Sequence, residues 1–567
     1  MSSRTRTAPA LALTCVLALG LSACSGSGTT TAATTTASST EASTSSDATT
    51  DTGTTTTVAA TDLDTTSMFT DRDLSGKTDS TSATITLSGS GATSTSSSGV
   101  SIDGSTITIT DEGTYVITGS GTDVQVVVAA EDTDKVQLVL DGATIQNSTL
   151  PAIRVATADK VFLTMADGTT NALSVSGTVA DPSDEKADAV VFSHDDLTVN
   201  GTGALKVSAQ GGHGIVSKDD LVCAGVTLEA DASGACLKAN NSVRIASGTY
   251  TLTSDDDTIH ADSNDTVGGF VYIQDGTFTL DAGDDAIHAD GATLVAGGTV
   301  DVERSYEGIE GTTVALTGGD VTVVSSDDGI NAASSDASGD TSTDQVAAGN
   351  TTTSTGSGQG GQQGGAMQDF HSNDSANASS GGMMMDTDDS CVVTISGGTL
   401  TITASGDGID SNGTVDVTGG TTYVYGPESG GNSSLDYGTG ATISGGTFLA
   451  AGSTGMAENF TDGTQCTGLV TLSGSAGDTI TVSDSSGTTI ARTTVAASYG
   501  CVIVSSPDLT QGSTYTVSNG STSTQVTFDS TIESSISGGG TNMGGGQTSG
   551  GMGSGQAPGQ KSSSSAA

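Results

Sequence analysis

The sequence predicts an all-β chain wound as a right-handed parallel β-helix with a coil of about 22 residues. Three observations predict it. Short runs alternate apolar and polar with period two, as in "TITITDEGTYVITG" (Thr106–Gly119) and "KVQLVLDGATI" (Lys135–Ile145), the pattern of a half-buried strand. A small-residue turn recurs at Gly248, Gly276, Gly298, Gly319, Gly398, Gly420 and Gly446, in steps of 28, 22, 21, 79, 22 and 26. An isoleucine follows acidic residues at Ile259, Ile287, Ile309, Ile330 and Ile409, always 11 residues after its glycine. A step of 21–22 is too short for a propeller blade of about 40–45 residues, and the leucine-rich-repeat pattern is absent.

The elements follow in chain order. Arg4 and Arg6 precede the apolar run Ala10–Leu21, so residues 1–23 read as an export signal. The run ends "LSAC", which looks like a bacterial lipobox with Cys24 as the lipidated first residue. The expected location is therefore extracellular, lipid-anchored to the cell membrane. Residues 24–62 are almost all Ser, Thr, Ala, Gly and Asp and cannot bury enough surface to offset ordering entropy, so a disordered tether is expected. Residues 63–466 form the β-helix, and 63–200 begin or cap the stack. "HGIVS" (His213–Ser217) and "GACLK" (Gly234–Lys238) hold earlier coils, with steps of 21 and then 23 that put Cys236 in the isoleucine slot. The step of 79 is one ordinary coil plus about 57 residues, which matches a low-complexity insert over 334–389. Residues 467–532 read as hairpins of a small terminal β segment, which would cover an open strand edge. Residues 533–567 are a Gly-rich disordered tail.

The chain carries 65 Asp and Glu against 15 Lys and Arg, a formal charge of −50. That excludes a basic nucleic-acid surface and points to cation binding. Beyond Cys24 the cysteines of the exported part are Cys223, Cys236, Cys391, Cys466 and Cys501. Cys466 with Cys501 and Cys223 with Cys236 are candidate disulfides that spacing alone does not decide. No CxxC or Cys/His spacing supports structural zinc.

The acidic residues recur at one point of the coil. With each isoleucine as zero, position −2 holds Asp257, Asp285, Glu307, Asp328 and Asp407. Position −3 holds Asp256, Asp284, Tyr306, Asp327 and Gly406, and position +1 holds His260, His288, Glu310, Asn331 and Asp410. Asp262 and Asp290 stand at +3. In a stack these become columns of like charge, and like charges opposite one another on neighbouring strands destabilise. At about 5 Å the repulsion is roughly 1 kcal/mol in water and several-fold more in a partly buried site. Several hard oxygens on rigid turns suit Ca²⁺, so Asp256, Asp257, Asp284, Asp285, Glu307, Glu310, Asp327, Asp328, Asp407 and Asp410 are the expected metal ligands. The competing account is turn chemistry, in which Asp caps its own backbone. That explains single Asp residues better than pairs. Histidines are an odd choice for an oxygen-rich site, so His260 and His288 are expected to face outward and, with Tyr306 and Asn331, to meet a sugar.

These residues resemble a known family. "MFTDRDLSG" (Met68–Gly76), "GTYVITGSGTDVQVVV" (Gly113–Val128), "KVQLVLDGATIQN" (Lys135–Asn147), "AIRVATADKVFLTMADGTTNALS" (Ala152–Ser174), "HDDLTVNGTGALKV" (His194–Val207), and the "YEGIEG", "SSDDGINAA" and "GDGIDSNG" coils occur in the order seen in it. The family is the bacterial secreted carbohydrate-binding domain family with a pectate-lyase-like, calcium-binding parallel β-helix. The resemblance spans about residues 63–530. It implies Ca²⁺ on the acidic coils and glycan binding without demonstrated cleavage. Ser233–Cys236 departs from the acidic pattern, and Thr258 replaces the glycine before Ile259.

The functional expectation is a monomeric, calcium-dependent, cell-surface polysaccharide-binding protein, for acidic or plant cell-wall glycans, without catalysis. The alternatives are a pectate-lyase-like enzyme and a structural adhesin. "GGHG" (Gly211–Gly214) faintly resembles a polygalacturonase motif, but it precedes the paired Asp residues rather than following them. There is no Trp, and Tyr272, Tyr306, Tyr423, Tyr425 and Tyr437 are the candidate aromatic platforms, which favours polar, cation-linked recognition of an acidic chain.

Overall fold

The computed structural model describes residues 59–263, 269–334 and 387–536. The export signal, Cys24, most of the tether, most of the insert and the tail beyond 536 lie outside the described residues.

Each later coil contributes one three-residue strand to a 12-stranded sheet and two longer strands to a 26-stranded sheet. The coil from Ile287 has Ile287–Ala289 in the short sheet, then Ala292–Val295 and Thr299–Ser305 in the long one. Successive coils pair in parallel. Ile215, Leu237, Ile259, Ile287, Ile309, Ile330 and Ile409 lie in register down the short sheet. All of them are fully buried. Leu237 holds the slot the spacing had placed at Cys236; Cys236 lies one residue earlier, and its thiol donates to the Thr253 carbonyl at 3.1 Å. Small residues (Ala239, Ala261, Ala289, Ala332) fill the next inward position. Across the core the long sheet supplies Tyr250 and Phe278, whose rings stack at 4.7 Å.

Residues 81–211 are further coils of the same stack, capped by the antiparallel hairpins Thr81–Gly89 with Gly91–Ser94 and Val100–Asp103 with Thr106–Ile109. At the far end Tyr499–Ser505 pairs antiparallel with the last coil, and Thr467–Gly474 pairs antiparallel with Tyr499–Ser505 in turn. A four-stranded sheet packs behind them around Val470, Val502, Tyr515 and Phe528. Ile532–Ser534 still pairs with Thr467–Leu469, so order extends past residue 533. The five cysteines are buried free thiols, so neither candidate disulfide forms.

Where coils meet at the Gly turn, the backbones touch. Gly298, Gly319, Gly398, Gly420 and Gly446 have φ of 85°, 87°, 75°, 76° and 79°, a region that other residues rarely adopt. A Cβ on Gly398 would lie 2.5 Å from the Gly319 carbonyl oxygen. Gly398→Ala should therefore cost more than the roughly 1–2 kcal/mol of a left-handed non-glycine residue. Gly487→Ala, at φ 85° with open space around its Cβ, should cost only that. The comparison of the two by thermal unfolding isolates the clash.

The segment before the first strand does not cap the stack. It runs along the outside. Ala60–Asp62 forms a 3-10 turn whose Ala60 N–H donates to Thr313 Oγ1 at 2.8 Å, so the last residues of the expected tether are ordered. Asp71–Ser75 is a short helix closed by a Thr70–Asp73 capping box, which satisfies its first N–H groups. Between them Met68, Leu63 and Phe69 cover Tyr272, Leu294 and Ala315.

Candidate functional site

The acidic residues gather where the long strand of each coil turns into the short one. The −2 carboxylates do two jobs. One oxygen caps the next coil: Asp285 N–H donates to Asp257 Oδ1 at 2.9 Å, Glu307 N–H to Asp285 Oδ1 at 3.3 Å, Asp407 N–H to Asp328 Oδ1 at 2.5 Å, and Ser433 N–H to Asp407 Oδ1. Turn capping is thus a real part of the pattern. The other oxygen faces the +1 column, and there the vertex divides into two halves.

In the first half imidazoles meet the acids. His260 bonds Asp257 through Nδ1 and Asp262 through Nε2. His288 Nδ1 lies 2.9 Å from Asp285 and 2.7 Å from Glu310. The rings stack at 4.7 Å, 4° from parallel. Only 17% and 23% exposed, the two histidines are held between carboxylates rather than facing outward. Burial works against their charge, but the bonds to Asp257, Asp262, Asp285 and Glu310 raise both above the ordinary imidazole range. Burial pushes Asp285 up to about 8, while Glu310, bonded to His288, is lowered. Asp256 and Asp284 gather with Asp257, their donor atoms within 4.8 Å of one another. Asp285, His288 and Glu310 gather likewise.

Glu307 is pushed up to about 9 by burial and by Glu310 and Asp285, and it accepts from Asn331 Nδ2 at 2.9 Å. Asp327 lies near Tyr306 instead and pushes its hydroxyl up to about 12. Glu307, Glu310, Asp327 and Asp328 therefore point to separate partners, and these four do not form one donor set.

In the second half carboxylates meet only carboxylates. Burial, with Asp410, Asp327 and Asp436 nearby, raises Asp328 to about 7. Burial, with Asp328, Asp436 and Asp410, raises Asp407 to about 8, and burial with Asp436 raises Asp410 to about 6. Among the ion pairs of the described residues, none reaches Asp328, Asp407, Asp410 or Asp436. Gly406 completes the arrangement: a Cβ there would lie 2.3 Å from both Asp327 Oδ1 and Asp328 Oδ1. The donors of Asp328, Asp407, Asp410 and Asp436 are all oxygen, the kind a hard divalent cation prefers, although among the described residues no three of them bring their donor atoms within 4.8 Å of one another as Asp256, Asp257 and Asp284 do.

Asp436 belongs to this set but breaks the sequence marker. Its coil reads Ser433-Ser434-Leu435-Asp436. Leu435 is fully buried in the isoleucine slot, and Asn432 and Ser433 stand where the acidic pair should be. The signal available was the Gly turn of the coil that follows, at Gly446. A second acidic group, Asp196, Asp219 and Asp220, lies on an earlier part of the stack. There Arg244 pairs with Asp220, and Lys160 offsets part of the burial that lifts Asp196 to about 6.

Fold and vertex together define a β-solenoid with an acidic edge. The family model described as "Carbohydrate-binding domain-containing protein" matches residues 103–360. A carbohydrate-binding domain-containing protein of Acetivibrio thermocellus is 35% identical over 122 residues, which are 21% of this chain and 43% of that protein. The chain thus spans less than half the length of the relative it matches. A solved structure of the polysaccharide lyase-like protein from C. thermocellum, a gadolinium derivative, is 30% identical with a TM-score of 0.37, covering 42% of this chain and 93% of that one.

Proposed function

We propose that this protein binds polysaccharide at the acidic vertex, outside the cell and anchored through Cys24, with Ca²⁺ held by the second half of the vertex. The carrying observation is the set Asp328, Asp407, Asp410 and Asp436, which has no cationic partner among the described residues, in a solenoid whose residues 103–360 match the model of a carbohydrate-binding family. Calcium bound there would neutralise the carboxylates and offer its remaining coordination positions to oxygens of a sugar chain. For an acidic glycan the bridge is needed, because without a cation this surface repels it.

Binding rather than cleavage is favoured by the state of the basic residues near the vertex. Lys206 pairs with Glu229, Lys238 with Asp262, Arg244 with Asp220 and Arg304 with Asp281. A lyase needs a base free to take a proton at the sugar; these four are engaged by acids, while Lys218 stands over the Phe192 ring, 5.9 Å from its centroid. The test is a pull-down on polygalacturonate with calcium and with chelator, followed by an assay for unsaturated product. Calcium-dependent retention without product is expected. Product would replace this reading with the lyase, and retention unchanged by chelator would remove the calcium bridge.

A further inference from the structure

Tyr306 is the one exposed aromatic side chain among the described residues, 48% exposed where the other Phe and Tyr rings are buried or half-buried. It occupies the −3 slot that holds Asp256, Asp284 and Asp327 in neighbouring coils, so a large apolar ring stands in the acidic column. Its place is built. The strand before it carries an extra residue at Glu303–Arg304 relative to both neighbouring strands, and such bulges re-aim the side chains that follow. The backbone is pinned on both sides: Tyr306 N–H donates to the Asp284 carbonyl at 2.8 Å, and Asp327 N–H donates to the Tyr306 carbonyl at 2.9 Å.

We propose that the Tyr306 ring is the stacking platform of the vertex, on which one sugar ring of a polysaccharide lays its C–H face. The inference rests on the polysaccharide reading above and adds the residue that receives the sugar. An aromatic face is electron-rich and attracts the weakly positive C–H groups of a pyranose, while the apolar area it covers leaves water. A ring whose backbone is fixed on both sides loses little freedom on binding. The sugar's own polar groups then point along the column towards Asp284 on one side and Asp327 on the other.

The experiment measures affinity of the whole chain for an oligogalacturonide and a cello-oligosaccharide of equal length, in calcium, by calorimetry. Tyr306→Ala should weaken binding roughly tenfold, and Tyr306→Phe, which keeps the ring, by no more than about threefold. Both variants should melt with the wild type, because the ring buries little. The chain has no Trp, so a near-ultraviolet tyrosine difference signal on binding should appear in the wild type and vanish in Tyr306→Phe. Wild-type protein that binds neither glycan defeats the polysaccharide reading itself. Wild-type binding that Tyr306→Ala matches defeats the platform alone, as does a loss in Tyr306→Phe as large as that in Tyr306→Ala.

Discussion

Asp407→Asn should raise the midpoint of thermal unfolding in calcium-free buffer and lower it in excess calcium. Asparagine keeps the oxygen that accepts the Ser433 N–H, so the cap survives and only the charge goes. Without a cation, Asp407 faces Asp328, Asp410 and Asp436, all raised by burial, and Asp328 and Asp410 also by neighbouring carboxylates. Removing one charge relieves on the order of 1–3 kcal/mol, which reads as a few °C. With calcium the same carboxylate is a ligand, and a ligand that binds only the folded state stabilises by mass action, so its loss is felt as destabilisation. A change of the same sign in both buffers would remove calcium from this cluster.

The same groups fix the direction of the pH dependence. Asp328, Asp410 and Asp407 have folded values of about 7, 6 and 8, above the roughly 3.9 of an unfolded Asp. Between those limits the folded chain holds more protons than the unfolded one, so stability falls as pH rises. Calcium-free protein should therefore melt higher near pH 5 than near pH 8. Calcium must displace those protons, so its affinity should tighten over the same rise. A calcium-free midpoint that climbs from pH 5 to 8 would show that these carboxylates are ionised throughout.

The repeat was legible because the core imposes it. An inward isoleucine and an acidic corner must return once per coil, and they do so in register at Ile259, Ile287, Ile309, Ile330 and Ile409. The same rule failed by one residue at Cys236, because an apolar Cys and an apolar Leu237 satisfy the slot equally as letters, and only the pairing of Leu237 with Ile259 decides. Asp436 was hidden because its coil keeps the inward residue and drops the acidic pair. The division of the vertex was hidden for another reason. His260 and His288 sit at i+3 from Asp257 and Asp285, a spacing that says nothing of contact until the turn brings Nδ1 to the carboxylate. The outer segment was least legible, since Ala60 and Thr313 are 253 residues apart.

That segment carries the other large effect: Asp73→Ala should release it from the solenoid. Asp73 is 2% exposed and lies 2.9 Å from Lys160 Nζ. It also accepts from Thr198 Oγ1 at 2.5 Å and, at its other oxygen, from Thr70 N–H at 2.9 Å. Removing one partner of a buried ion pair leaves the other charge unanswered and costs about 3–5 kcal/mol. The loss should be local first. Outward along the long sheet, Phe162, Thr198, Val222, Arg244, Tyr272, Leu294 and Ala315 stand in register, and the segment covers the apolar stretch of this column. Beyond Ala315 the column turns polar, with Thr394, Asp416 and Thr442, and the segment is no longer needed. Limited proteolysis should thus cut Asp73→Ala within residues 59–76 before the solenoid unfolds, while the wild type resists. Burial raises Asp73, but the bonds from Thr198 and Thr70 and the Lys160 charge outweigh it and hold it below the ordinary carboxylate range. Its contribution is present above the unfolded value of about 3.9 and is lost as pH falls through the folded one, so acid should release the wild-type segment as the substitution does at neutral pH. This runs opposite to the vertex, where acid stabilises the calcium-free chain. Cleavage at 59–76 and the melting midpoint should therefore move apart as pH is lowered, and a common pH course for both would mean that Asp73 does not hold the segment.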